Sequence, residues 1–202
     1  MTHSTKPKIG IILSTTRQAR FADRATSWFL DVVKSREDME FEVVDLRDFA
    51  LPMFDAVGSP RFVPLTDPEQ LRFVDKIAEL DGYVFMTAEY NHTVPAVLSN
   101  ALTYIFDEMA KKPAAFMAYG AVGGARAVEH LRGQVIELSM VPTKAAVHIG
   151  WEPMKGMLFD GKDFADFPYL VPTVTPMLDE LSWYARVLRD GREVAAEEAV
   201  AA

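Results

Sequence analysis

Residues 8–22 read KIGIILSTTRQARFA, and the fold turns on the change of character at Ser14. Lys8–Leu13 is a continuous apolar run rich in β-branched side chains. A strand with one wet face alternates apolar with polar residues. An unbroken run instead predicts a strand covered on both faces, as in a parallel sheet flanked by helices. Three hydroxyl residues (Ser14, Thr15, Thr16) and two arginines (Arg17, Arg20) follow as a polar loop. From Ala22 to Ser35 the apolar residues Trp28, Phe29, Val32 and Val33 recur at helical spacing.

The same unit repeats outward. Glu40–Asp45 (EFEVVD) reads as a second strand, and the loop from Pro52 to Pro68 carries four prolines. Asp67-Pro68 opens a helix to about Leu80, since proline is tolerated in a first turn. Tyr83–Thr87 is a third strand after the Asp81-Gly82 turn, followed by a helix over about Pro95–Ala110. Ala114–Tyr119 is a fourth strand launched by Lys112-Pro113, and Gly123-Gly124 open a helix to about Met140. Ala145–Ile149 is a fifth strand, Pro153–Pro172 is aromatic and loop-like, and a last helix covers roughly Thr175–Arg189. Five short strands with intervening helices predict an α/β, flavodoxin-like doubly wound sandwich: a five-stranded parallel sheet of order 2-1-3-4-5. Residues 1–190 form one domain. The tail 191–202, rich in Ala and Glu, is either a helical extension or disordered.

Composition narrows the function. Half of the 202 residues are hydrophobic, enough for one sizeable core. With 21 basic and 29 acidic residues the net charge is −8, the wrong sign for a nucleic-acid footprint. The absence of cysteine removes disulfides, thiolate metal sites and a cysteine nucleophile. The apolar runs Ile9–Leu13 and Tyr83–Met86 fall far short of the roughly 20 residues that span a bilayer, and Met1–Lys8 has no apolar leader core. The expectation is a soluble, cytoplasmic protein with no membrane or nucleic-acid partner. His3, His92, His130 and His148 are scattered without ligand spacing, so no metal site is assigned. His148 reads as a structural histidine, and only His92 falls in a candidate site.

In a doubly wound sheet, ligands bind beyond the carboxyl ends of the strands near the switch in strand order. Three loops lie there. The first, 14–22, suits a phosphate: hydroxyls, arginines and the amides of a helix start all donate to anions. Neither the dinucleotide glycine fingerprint nor the Walker lysine is present, which favours a monophosphate over a pyrophosphate. The plainer reading of this loop is a polar helix cap with exposed arginines. The second, 87–95, gathers Glu89, Tyr90, Asn91 and His92 at a rim where loops commonly carry function. The third, 119–126, holds Gly120, Gly123 and Gly124, which permit close backbone approach or simply the strand-to-helix turn.

Glu89-Tyr90-Asn91-x-x-x-Pro95-x-x-Leu98-x-Asn100-Ala101-Leu102, then Lys112-Pro113, then Tyr119-Gly120-x-x-Gly123-Gly124-x-Arg126-Ala127 resembles the NAD(P)H-dependent FMN reductase family. The likeness runs from about Lys8 to Ile149 and includes Asp45–Pro52. It implies FMN held by all three loops, with NADPH or NADH as donor and a small electron acceptor: a quinone, azo compound, free flavin or metal oxyanion. Carried onto this chain, it implies phosphate-end contacts from Thr15, Arg17, Arg20, Phe21 and Ala22. Glu89, Tyr90 and Asn91 would line the isoalloxazine, mainly through backbone, and Tyr119, Gly120, Gly123 and Gly124 its pyrimidine edge. The first loop departs from the family pattern: Ser14 stands for glycine, Thr15 for serine, and Arg20 and Ala22 where many members have Ser and Asn. Ala88 replaces the usual proline before Glu89. The flavin carries the hydride chemistry and the protein orients it, so no catalytic side chain is assigned. Two rivals remain: a non-enzymatic FMN electron carrier, and a flavin-free binding module of the same fold. The first lacks the long acidic docking run expected of it.

The predicted helix Pro95–Ala110 carries Val97, Leu98, Leu102, Tyr104, Ile105, Phe106 and Met109 over more than one face, where a surface helix shows a single stripe. This points to a partner there, or to deep burial within the same chain. The resemblance implies a two-fold homodimer, alone or paired as a homotetramer; the aromatic, loop-like composition of Pro153–Pro172 adds the expectation that it reaches across to the neighbour's flavin.

Overall fold

The computed structural model describes residues 6–201; the polar start Met1–Thr5, with His3, and Ala202 lie outside the described residues. Five strands form one parallel sheet in the order β2-β1-β3-β4-β5. They are β1 (Lys8–Leu13), β2 (Glu40–Asp45), β3 (Gly82–Ala88), β4 (Pro113–Tyr119) and β5 (Val141–Ile149). Every residue of β3 and β4 is buried, as expected of central strands covered on both faces. The helices are α1 (Ala22–Val33), α2 (Pro68–Ala78), α3 (Ala96–Thr103), α4 (Ala125–Glu137), α5 (Trp151–Phe159) and α6 (Val171–Ala201). One core packs α1, α5 and α6 onto a face of the sheet through Phe29, Met157, Leu178 and Leu181. The other packs α2, α3 and α4 onto the opposite face through Phe73, Ile77, Leu98 and Leu131. No helix among the described residues is long and apolar enough to cross a membrane.

Register matters most for the site. Leu13 pairs with Asp45 on one side and Met86 on the other, and Ala88 pairs with Tyr119, which pairs with Ile149. The carboxyl ends of β1 and β2 therefore finish level with each other, those of β3 and β4 run on from Met86 to the Ala88–Tyr119 pair, and their loops begin at the same edge.

Three sequence expectations need correction. The helix predicted over Pro95–Ala110 stops at Thr103. Tyr104, the C-cap residue, and Ile105 beyond it are both buried outside the helix. Leaving the helix lets both, and Met109, enter the chain's own core. The second apolar face is therefore absorbed internally. The loop-like segment Pro153–Pro172 contains α5 and two short 3₁₀ turns, Phe164–Asp166 and Pro168–Leu170. Phe164 and Phe167 from it are buried, and Trp28 of α1 stacks on Phe164 at 4.6 Å. Finally, α6 begins at Val171, with Pro172 tolerated in its first turn, and runs on through the tail to Ala201.

Candidate functional site

Directly after β1, Ser14 continues the ladder: its N–H and its hydroxyl both donate to the Met86 carbonyl, at 3.1 and 2.9 Å. Thr15 is fully buried and its Oγ1 lies 3.3 Å from the phenol oxygen of Tyr119. Burial pushes that phenol up to about 12, so it stays protonated at neutral pH. The Tyr119 ring packs against Phe21 at 5.1 Å, joining the first loop to the third. Phe21 caps α1, which has no side-chain cap at its amino end; the first amide of the helix, that of Ala22, donates to the Tyr119 phenol oxygen.

The two arginines of the loop differ sharply. Arg17 is exposed, makes no ion pair among the described residues, and holds its guanidinium 5.8 Å from the Tyr90 ring centroid. Arg20 has a side chain only 3% exposed. Its Nε donates to Asp23 at 2.7 Å, and its Nη1 to the Thr15 carbonyl at 2.6 Å and to Asp45 at 2.7 Å. Its Nη2 pairs with the other Asp45 oxygen and with Asp23. The Asp45 hydrogen bonds hold its pKa above the ordinary arginine range. The expected charge of Arg20 is thus present but neutralised by two carboxylates. Arg47, just past β2, donates to the carbonyls of Arg17 and Gln18. Among the described residues the amides of Thr15 to Ala19 donate to no protein acceptor.

In the second loop the Glu89 amide donates to the Tyr119 carbonyl at 2.9 Å, continuing the β3–β4 pairing. Tyr90 and Thr93 exchange backbone hydrogen bonds at 2.9 and 3.1 Å. Between them Asn91 (φ 49°) and His92 (φ 72°) turn through the left-handed region, the pattern of a tight two-residue hairpin. The Glu89 carboxylate, 6% exposed, pairs with Arg126 at 2.6 Å and accepts the Arg126 N–H at 3.2 Å. It anchors the start of α4, so the carboxylate is committed within the protein. Arg126 also reaches His92 Nδ1 at 2.9 Å.

The third loop shows what its glycines do. A Cβ on Gly120 would sit 3.0 Å from Glu89 Cβ, so that position is closed to larger residues by the neighbouring loop. Gly124, at φ +69°, caps α4, and a Cβ there would fall 2.6 Å from Ala118 Cβ. His148 donates through its Nδ1–H to the Gly123 carbonyl at 2.9 Å. That is the structural role expected of it.

The loops thus bring together Thr15, Phe21 and Tyr119 at one end, with Arg17 over Tyr90, and Glu89 against Gly120. Ala22 is buried in the first turn of α1 and offers only backbone. Sequence reasoning missed Asp45, Asp23 and Arg47 as parts of this arrangement. The available signal was that β2 neighbours β1 and ends at the same edge, beside the first loop. A groove of ≈ 600 Å³ lined by Met53, Phe54, Tyr90, Asn91 and Asn100 continues from the second loop. No cluster of metal-ligating side chains occurs among the described residues.

A family model described as NADPH-dependent FMN reductase matches residues 7–152. The chain belongs to this family. It is 35% identical over 146 residues to an NAD(P)H-dependent FMN reductase of Nectria sp, covering 68% of this chain and 73% of that one. It is 31% identical over 142 residues to a 2-hydroxy-1,4-benzoquinone reductase of Burkholderia sp, covering 66% and 73%. Among solved structures, the flavoenzyme FerB, an NAD(P)H:(acceptor) oxidoreductase of Paracoccus denitrificans, superposes with TM-score 0.69 at 20% identity, over 88% of this chain and 98% of that one. This last likeness carries the fold.

The residues present fit FMN. One run of unengaged amides at an uncapped helix start suits one phosphate. The close approach at Gly120 and the hairpin 90–93 supply a flat backbone wall for a polar ring.

Proposed function

We propose that this chain is an FMN-dependent oxidoreductase that takes hydride from NADPH or NADH and delivers electrons to a small quinone-type acceptor. The observation that carries the reading is the first loop: its carbonyls are held by arginines while its amides stand free beside a glycine-lined wall. Thr15 and Arg17 would hold the phosphate with those amides, and Phe21 and Ala22 would close the loop behind it. The backbones of Glu89, Tyr90 and Asn91, with Tyr119, Gly120, Gly123 and Gly124, would orient the ring. FMN, when bound, supplies the two-electron chemistry. The Glu89 carboxylate is committed to Arg126, and those of Asp45 and Asp23 to Arg20, so no protein acid or base is assigned. Relatives named as a 2-hydroxy-1,4-benzoquinone reductase and a quinone reductase favour the quinone class among acceptors. Dependence on NAD(P)H supports a cytoplasmic location as part of this proposal.

Protein reconstituted with FMN and desalted is expected to keep about one flavin per chain, with FAD held less well for want of a second phosphate cradle. Anaerobic mixing with NADPH or NADH should bleach the flavin, and a benzoquinone should restore its colour. Reconstituted protein that emerges colourless defeats the reading; a stable flavin with no steady NAD(P)H consumption would make it an electron carrier.

We also propose a homodimer, with a homotetramer as its pairing. The apolar excess beyond Thr103 no longer supports this, being buried internally. Support comes from exposed Trp151 and Phe159, at 50% and 70%, on α5 at the carboxyl edge of the sheet, and from the family resemblance. Light scattering is expected to return a multiple of the 22.6 kDa chain mass. A fully active monomer at assay concentration would refute the dimer.

A further inference from the structure

We propose that Arg20 is a positioning residue: paired with Asp45 at the end of β2, it sets the peptide orientation that turns the first loop's amides toward the flavin phosphate. This rests on the FMN reading above and goes beyond it, because it replaces a direct phosphate contact by a structural clamp.

The argument begins with the cost of burying a guanidinium. A cation as enclosed as Arg20 is tolerated only if its charge is paired and its N–H groups are satisfied. Here Asp45 takes two of them as a fork, Asp23 takes two more, and the fifth goes to the Thr15 carbonyl. No donor remains for an anion. The surrounding carboxylates also cancel the charge a phosphate would feel.

The bond to Thr15 nevertheless shapes the site. In a planar trans peptide the C=O of one residue and the N–H of the next point in opposite directions. Fixing the Thr15 carbonyl toward Arg20 therefore turns the Thr16 amide the other way. Arg47 does the same from the next position along: holding the carbonyls of Arg17 and Gln18 turns out the amides of Gln18 and Ala19. Asp45 ties the two clamps together, since its Oδ1 also accepts the Arg47 amide at 3.0 Å. The carboxyl end of β2 thus acts as the jig on which a nest of outward amides is formed, in a loop whose other residues leave the usual family pattern.

The sign of one substitution separates clamp from ligand. Asp45→Asn removes the carboxylate and frees Arg20. If Arg20 met phosphate directly, FMN would bind as before or more tightly. If Arg20 positions the loop, FMN must weaken. We expect Asp45→Asn and Arg20→Met each to weaken FMN by about tenfold or more, and the double variant to be no worse than the weaker single, as for one coupled unit. Riboflavin, which lacks the phosphate, should bind all of them within about twofold of wild type. Arg20→Lys should restore little, because an ammonium cannot bridge Asp45, Asp23 and the Thr15 carbonyl at once. Circular dichroism of the flavin-free proteins checks folding. Arg47→Ala, at a more exposed side chain, keeps the test open should the buried pair be needed to fold: it should also lower the preference for FMN over riboflavin. Unchanged or tighter FMN in Asp45→Asn, or an unchanged FMN-to-riboflavin preference in the folded variants, overturns the proposal. Failure of wild type to bind FMN would instead remove the reading on which it rests.

Discussion

Arg17 and Arg20 stand on the same loop with the same formal charge, and their surroundings give them different tasks. Arg20 is enclosed by Asp45 and Asp23, whereas Arg17 is exposed with only the Tyr90 ring beside it. A guanidinium without a carboxylate partner is the one available to a phosphate, and its planar fork matches two phosphate oxygens. Arg17→Ala is therefore expected to weaken FMN by about 1.5–3 kcal/mol, and Arg17→Lys to recover only part of it. Fluorescence titration checks this; equal affinities would take Arg17 out of the site. The contrast was not legible in the sequence, because both arginines lie in one polar stretch and the residues that distinguish them come from β2. The glycines were read as permitting either close approach or positive φ. Their clustering after β4 announced a backbone-rich wall, but only the structure separates Gly123 and Gly124, needed for positive φ, from Gly120, needed for room beside Glu89. Glu89 shows the same limit: its partner Arg126 lies 37 residues away, and no local pattern pairs them.

The strands β1, β3 and β4 were legible because burial on both faces writes itself as an unbroken apolar run, whereas the half-exposed β2 has no such run and β5 begins at Val141, ahead of the expected Ala145. Helices were legible where a polar face alternates with an apolar one. The segment WEPMKGMLF, now α5, has proline and glycine at positions that argue against a helix from local preference alone. Pro153 falls in the first turn, where its missing N–H costs nothing, and Gly156 lies where α5 meets Phe167, whose ring would be 2.7 Å from any Cβ. Tertiary packing decided that element. The start of α2 is the opposite case, decided locally. Asp67 accepts the amides of Glu69 and Gln70 at 2.9 and 3.1 Å, and Pro68 takes the next position with no N–H to lose. Asp67→Ala should cost about 1 kcal/mol of stability in urea unfolding, the usual worth of a cap. Because α2 lies apart from the three ligand loops, FMN affinity should stay the same. A loss of flavin binding would mean that α2 and the site are coupled.

The two ends of the sheet divide the molecule's labour. The carboxyl end carries the loops of the site, and the amino end is fastened by charges that α6 brings back from the far end of the chain. Asp81 accepts the Lys8 amide at 3.0 Å and Arg192 at 2.9 Å, and Arg192 also donates to the Lys111 carbonyl at 2.8 Å. These partners lie up to 111 residues apart, so no local pattern announces them. Beneath them Lys112 is buried and donates through Nζ to the Ala78 carbonyl at 2.8 Å. Burial, reinforced by the nearby Arg192 charge, pushes its pKa down to about 8. The consequence for stability has a definite sign. Between this value and the lysine's ordinary 10.5, the unfolded chain binds more protons than the folded one, so Lys112 makes unfolding harder as pH rises. Lys112→Met keeps most of the side-chain volume and removes the titration. It also leaves the Ala78 carbonyl without its donor, but to first order that loss is the same at every pH, and the other alkaline groups titrate in both proteins. The difference in unfolding free energy between wild type and Lys112→Met should therefore shift in favour of wild type by roughly 2 kcal/mol between about pH 7.5 and 10. Urea denaturation at the two pH values measures it. Parallel pH profiles for the two proteins would mean that the lysine titrates normally and that the amino end of the sheet is wetter than its packing indicates.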